Sequence, residues 1–224
     1  MKILALEFSS GQRSAAIVDC SEGAASQLSR ASETGPRGLK PMVLIDAALR
    51  DAQLAPAQIE CVAVGLGPGS YTGIRVAIAV AQGWQLARNV KLAGVSSVEG
   101  LAAQVQKEAA QPEASPYQFA IVIDAQRNEF YLAVYEMLAV ERRIVEPLHL
   151  ATFNEVKKRI QNCGSVIGPE VNRWFPEGRV MFPDASMLAQ LAAAQNEFVS
   201  GEQLEPIYLR ETAFVKAPPP RRIP

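Results

Sequence analysis

The chain has 224 residues, 49% hydrophobic and 20% charged, with a formal net charge of −1. That balance excludes a disordered chain, lacks the basic footprint of a stand-alone nucleic-acid binder, and leaves no run of about 18 apolar residues to span a membrane. Cys20, Cys61 and Cys163 form no CxxC pair and His149 is the single histidine, which excludes a disulfide framework, a cysteine zinc site and a paired-histidine metal site. The N-terminus runs straight into a strand without a signal-peptide pattern, so the expected location is the cytoplasm.

Lys2 to Phe8 reads as a strand, Ser9 to Arg13 as a turn, and Ser14 to Asp19 as the returning strand of a hairpin. Ala24 to Ala31 reads as a third, more polar strand near an edge, and Gly35 to Gly38 as a loop. Helical spacing at Val43, Leu44, Ala47, Ala48 and Leu54 predicts a helix over 39–52. Cys61 to Val64 is a buried strand by its β-branched, apolar run. Three glycines and a proline in Gly65 to Gly69 then break the chain, and Ser70 or Thr72 can cap a helix running to about Arg88. Lys91 to Val95 is another short strand, and Ser96 or Ser97 can cap a helix with Leu101, Ala102 and Val105 on its apolar face.

Gln111 to Pro116 is the clearest break, and it divides the chain into a first lobe over 1–110 and a smaller second lobe over 111–210. The second lobe opens as the first does. Phe119 to Ile123 is an apolar strand, Asp124 to Asn128 a turn, Glu129 to Glu136 the returning strand, and Arg143 to Leu150 a third. That repetition predicts a structural duplication. Thr152 caps a short helix to Ile160, 165–167 and 180–182 are short strands, and Asp184 or Ser186 starts a helix carrying Met187, Leu188, Leu191, Ala192 and Ala194. Gln203 to Arg210 is extended, and the Pro- and Arg-rich residues 211–224 read as a mobile tail.

The helix after Gly69 has an unusual pattern. At about 100° per residue Gly73, Ala77, Val80, Trp84 and Ala87 share one face, and Arg75, Ile78, Ala79, Gln82 and Leu86 share the other. Arg75 and Arg88 are its only charges, so neither face is built for water. The expectation is that one face covers this chain's sheet and the other, with Arg75 at its rim, meets another subunit.

Ile3-Leu4-Ala5-Leu6, Gly67-Pro68-Gly69-Ser70-Tyr71-Thr72-Gly73-Ile74-Arg75, Gly94-Val95-Ser96-Ser97 with Glu99, Asp124-Ala125 with Glu129 and Tyr131, and Tyr208-Leu209-Arg210 occur in that order. Together they resemble the TsaB (YeaZ) family over nearly the whole chain, and the GPGSYTGIR stretch is the specific part. The resemblance implies an α/β, actin-like (ASKHA) duplicated two-lobe fold, with mixed sheets flanked by helices. It also implies a non-catalytic, activating role in threonylcarbamoyl modification of the tRNA adenosine next to the anticodon. The implied partners are a TsaD-type paralogue, as a heterodimer, and a TsaE-type ATPase, with tRNA met only indirectly. No intrinsic cofactor is implied; ATP or ADP and metal are expected on the partner subunits. Where the family has Asp-Thr-Ser after the first strand, this chain has Glu7-Phe8-Ser9, its second turn is Asp124-Ala125-Gln126-Arg127-Asn128-Glu129, and a histidine usual before the first helix is absent from 33–36.

Two groups of residues are therefore candidates. Arg75, Ile78, Ala79, Gln82 and Leu86 are the expected subunit interface, and two copies are expected to pair through it when the partner is missing. Ser9, Ser10, Gly67, Gly69, Ser70 and Asp124 are the candidate phosphate- or nucleotide-facing set, because a glycine turn before a helix N-terminus can hold an anion. The plain alternative is a tight turn with no ligand, since the phosphate-loop lysine is missing. Glu7 and Asp124 end corresponding strands and either act together in a cleft, as in an ATP-dependent phosphotransferase or hydrolase, or cap their own turns. A peptidase, the reading carried by an older glycoprotease label, would need a nucleophile or metal that the sequence does not supply.

Overall fold

The structure is a computed structural model that describes residues 1–20, 25–35, 40–108, 116–139, 141–195 and 197–210. Strands β1 (Lys2–Glu7), β2 (Gln12–Asp19), β3 (Ser26–Thr34), β4 (Cys61–Gly65) and β5 (Lys91–Val95) form one sheet in the order β3-β2-β1-β4-β5. Strands β6 (Tyr117–Asp124), β7 (Glu129–Leu138), β8 (Glu141–Thr152), β9 (Ser165–Gly168) and β10 (Arg179–Val180) form a second in the order β10-β9-β6-β7-β8. Each sheet opens with two antiparallel pairings and adds two parallel strands on the other side of its first strand. The topologies are the same, so the predicted duplication is present. Two mixed sheets flanked by helices make this an actin-like fold.

Helices α1 (Pro41–Asp51) and α2 (Tyr71–Arg88) cover one face of the first sheet, packing on Leu4, Leu6, Ile17, Val62 and Val64. Helix α5 (Ala185–Gln195) covers the opposite face, on Ile3, Ala5, Ala16, Val18 and Ala63. Alternate residues of β1 thus enter different cores, which is why its sequence is apolar without alternation. Helix α3 (Ser97–Glu108) follows β5 but packs on the second sheet, with Val98, Leu101 and Val105 against Phe119, Ile121 and Tyr135. Helix α4 (Phe153–Ile160) and Val171, Trp174 and Phe175 close the far side of that sheet. Thr152 starts α4 with a reciprocal cap, its hydroxyl accepting from the Glu155 amide while the Glu155 carboxylate accepts from the Thr152 amide at 2.7 Å.

Each repeat's last helix therefore lies on the other repeat's sheet. The sequence-based boundary at 110/111 falls between the two sheets, but the helix packing crosses it. Helix α5, the Val199 bridge to Leu92, and Leu204 all belong to the first sheet's packing, although they follow the second sheet in the chain. The break over 111–115 and the tail over 211–224 lie outside the described residues. Two helix faces also shift. Val43 is 59% exposed, and Ile45 and Leu49 take its place beside Leu44 and Ala48 because Pro41 starts α1 on that phase; Ala194 is exposed at the end of α5.

The helices α3 and α5 meet at Gly100, where a Cβ would stand 3.0 Å from Leu188 Cδ2. If the exchange makes both lobes one cooperative unit, Leu188→Ala should cost about 3 kcal/mol and lower the melting temperature of both lobes together. Trp84 in α2 and Trp174 in the second lobe allow a direct check through single-tryptophan variants. Coincident fluorescence transitions are expected; two separate ones would show independent lobes.

Candidate functional site

The turn between β4 and α2 is built around the Glu7 carboxyl at the end of β1. Glu7 is fully buried; its Oε1 accepts from the Ser9 amide at 2.7 Å and its Oε2 from the Ser97 hydroxyl at 2.7 Å. Ser97 Oγ accepts in turn from the Gly67 amide at 3.2 Å, and the Ser97 amide donates to the Gly67 carbonyl at 2.9 Å. One carboxyl thus joins β1, the glycine turn and the first residue of α3. Burial pushes the Glu7 pKa up, opposed by the hydrogen bonds from Ser9 and Ser97 and reinforced by Asp184. A Cβ at Gly65 would fall 2.2 Å from Glu7 Oε2, so glycine there makes room for the longer acid.

The rest of the turn folds onto the hairpin after β1. Gly69 has φ +149° and lies against the Ser9 carbonyl, which accepts from the Ser70 amide at 2.7 Å. Ser70 is the cap, its hydroxyl accepting from the Gly73 amide at 3.3 Å, and Gly73 sits so close to the Phe8 carbonyl that a Cβ would be 1.9 Å away. The Gly67, Ser70 and Gly73 amides are thereby directed at Ser97, Ser9 and Ser70. Ser10 donates to the Gln12 carbonyl at 2.7 Å. This arrangement fits the tight-turn alternative.

Asp124 caps its own hairpin, Oδ1 accepting from the Gln126 amide at 2.7 Å. It repeats the bond from Glu7 to the Ser9 amide two residues on. Glu7 and Asp124 are therefore equivalent turn caps, and Glu7 is sealed from any cleft substrate. Gln126, Arg127 and Asn128 all have positive φ, at 63°, 58° and 61°. This crowded left-handed turn is held from outside by Arg210, whose guanidinium donates to the Ala125 carbonyl at 3.0 Å, the Gln126 carbonyl at 3.3 Å and Glu129 Oε2 at 2.5 Å. Two residues earlier Tyr208 stacks on Tyr71 at 5.6 Å, and the Ile207 amide donates to the Leu66 carbonyl at 2.9 Å. Segment 207–210 straps the first turn of α2 to the hairpin of the second lobe. Glu99, on α3, instead accepts from Tyr135 at 2.5 Å and Arg142 at 2.8 Å, fastening α3 to the second sheet.

On α2 the interface candidates separate. Arg75, Ala79 and Leu86 are exposed, Leu86 by 90%. Ile78 is only 6% exposed and belongs to this chain's core with Ile74, Ala77 and Ala81. Gln82 is half-buried and donates to the Gly201 carbonyl at 2.8 Å, while Gln85 accepts from the Gly201 amide at 2.9 Å. The buried face is turned from the predicted one because Gly73 must approach the Phe8 backbone, which fixes the helix rotation. The exposed stripe is Tyr71, Arg75, Ala79, Gly83 and Leu86. Tyr71 and Tyr208 were missed; the spacing 71, 75, 79, 83 was the signal available for the first. Among the described residues no group of three or more His, Cys, Asp or Glu side chains could hold a metal ion, and no helix is long and apolar enough to cross a membrane.

Two mixed sheets of the same topology, flanked by helices, define a member of the actin-like class. Residues 40–214 match the family model of TsaD, tRNA N6-adenosine threonylcarbamoyltransferase. The TsaB protein of tRNA threonylcarbamoyladenosine biosynthesis from Haemophilus influenzae is 28% identical over 209 residues, covering 84% of this chain and 85% of that protein. The structure of YeaZ from Pseudomonas aeruginosa superposes with a TM-score of 0.73 at 26% identity, covering 93% of this chain and 99% of that one. A shorter match, 35% identical over 97 residues, covers 43% of this chain and only 24% of an uncharacterised protein of Mycobacterium leprae. The chain belongs to the family described by the TsaD model, and within it to the TsaB (YeaZ) group.

Because burial raises the Glu7 pKa above its ordinary value of 4.5, the folded chain binds this proton more tightly than the unfolded chain does. The carboxyl's contribution to stability is full below about pH 4.5 and is lost as the pH rises through the folded value. Glu7→Gln should therefore gain on the wild type in melting temperature as the pH is raised from 4 to 8. Parallel curves would rule out a titrating Glu7. Glu7→Ala should cost about 1–3 kcal/mol at pH 4, by leaving the Ser9 amide and Ser97 hydroxyl without an acceptor, and less as the pH rises through the folded value of the carboxyl.

Proposed function

We propose that this chain is a non-catalytic scaffold subunit in the biosynthesis of threonylcarbamoyladenosine on tRNA, working in the cytoplasm as a heterodimer with a TsaD-type paralogue. The observation that carries the reading is the outer face of α2, where Ala79, Gly83 and the 90%-exposed Leu86 make an apolar stripe on a helix whose only charges are Arg75 and Arg88. Exposed apolar stripes of this kind mark association surfaces. The names of the Haemophilus and Escherichia coli relatives, both TsaB proteins of that biosynthesis, support the pathway. The sealed Glu7 supports a role other than cleft chemistry, so nucleotide, metal and transfer chemistry fall to the TsaD-type subunit and a TsaE-type ATPase. The tRNA is reached through them. Alone, two copies pair through the same α2 face.

Light scattering on the purified chain, alone and mixed with the TsaD-type paralogue of the same organism, tests this. A homodimer that exchanges into a one-to-one heterodimer is expected. Leu86→Glu and Ala79→Glu should each abolish both assemblies, because a charge buried without a partner costs several kcal/mol, while leaving a folded monomer by circular dichroism. Full assembly by both variants would remove α2 from the interface.

A further inference from the structure

The stripe on α2 carries a second, polar element at its N-terminal end. The Arg75 guanidinium lies 4.0 Å above the Tyr71 ring and 5.9 Å from that of Tyr208, and the two rings are stacked. Neither Arg75 nor Arg88 meets a carboxylate among the described residues, and α2 itself contains no acid. Tyr71, 56% exposed, thus holds a flat guanidinium in place on one side, and among the described residues its N–H groups meet no carboxylate. A stacked arginine whose donors are free is preorganised for a bidentate anion.

Resting on the heterodimer reading above, we infer that Arg75, backed by Tyr71 and Tyr208, receives a carboxylate from the partner's helix, and that this charge pairing makes the α2 face prefer a different chain to a second copy. The occupant follows from the charge pattern. Two copies joined through α2 bring only arginines from the two helices, whereas a partner helix with an apolar seam and an acid opposite Arg75 matches both the stripe and the cation. A phosphate could occupy the same fork, but Ala79, Gly83 and Leu86 continue the surface as apolar area that nucleic acid would leave wet, and the described residues of α2 carry no basic stripe beyond Arg75 and Arg88. Segment 207–210 becomes part of the docking surface: Arg210 fixes the strap, Tyr208 backs Tyr71, and Tyr71 orients Arg75.

The test is a calorimetric titration of the full chain with the TsaD-type paralogue at low and high salt, using wild type, Leu86→Glu, Arg75→Glu and Arg75→Lys. Arg75 is exposed, so these variants keep the fold, which circular dichroism verifies. Arg75→Glu is expected to weaken the complex by about 30-fold or more, and Arg75→Lys by several-fold because a lysine loses the fork and the stacking. The wild-type affinity should fall with salt more steeply than that of Arg75→Glu. Binding of Arg75→Glu within about twofold of wild type, with Leu86→Glu unable to bind, would overturn the carboxylate while leaving the heterodimer standing. No binding by wild type overturns both. Labelled tRNA that binds the chain alone and is released by Tyr71→Ala or Arg75→Glu also overturns the inference, by assigning the fork to phosphate.

Discussion

The exchange of α3 and α5 between the sheets is the constraint on which the rest depends. A sheet buried on both faces needs two covers, and each five-stranded repeat supplies only one of them from its own segment. The other comes from the opposite repeat, so neither sheet can bury its inner face until both have formed. Gly100 on α3 lets Leu188 of α5 approach it closely, while Ala185, Ala189 and Ala192 let α5 lie close on the first sheet. The first sheet's strands β1 and β4 are apolar on both sides for the same reason. This interlocking also fixes where the ends of β1 and β6 lie, and with them the two hairpins that carry Glu7 and Asp124.

At those two strand ends the repeats remain chemically parallel and have diverged in burial. Each places a carboxylate that accepts from the amide two residues later. In the first repeat that carboxylate is drawn under the glycine turn and bonded to α3, and a hydrogen bond to a buried acceptor of this kind rigidifies what it joins. In the second it stays at a hairpin whose three left-handed residues are held by Arg210 instead. Both strand-end carboxylates are thus engaged by the protein's own hydrogen bonds. Rigidity of this sort suits a surface that must be presented in one shape.

Much of this was legible in the sequence, and the failures have physical causes. Strand and helix positions were readable where local chemistry decides them: the apolar runs of β1, β4 and β6, the glycine break before α2, and the Thr152–Glu155 cap of α4. The duplication was readable because the hairpin pattern repeats even though the residues do not. The exchange of helices was not, since nothing in the periodicity of α5 says which sheet will receive it, and a boundary drawn at 111 therefore gave the second lobe a helix that belongs to the first sheet. The candidate interface was half readable. Composition showed that α2 is apolar all round, but the rotation that buries Ile78 and exposes Leu86 is set by the approach of Gly73 to the Phe8 backbone, a tertiary contact. The role of Glu7 was hidden because a buried carboxyl cap and a cleft carboxylate have the same letter.

The two repeats also differ in a way that bears on association. Between β4 and β5 the first repeat carries the 18-residue helix α2, whereas between β9 and β10 the second has only the single turn Val171–Arg173. Helix α2 therefore projects from one lobe with no counterpart on the other, and its inner face is fully used by the first sheet. Nothing else in the described chain reaches its outer face except the strap, which touches only the N-terminal turn through Tyr208. A slim helix rich in glycine and alanine has a low side-chain entropy cost on docking and lets another backbone come close. The small residues that make α2 a poor solvent-facing helix are those that a helix–helix contact needs, so the same composition that looks anomalous in one chain is ordinary at a seam between two.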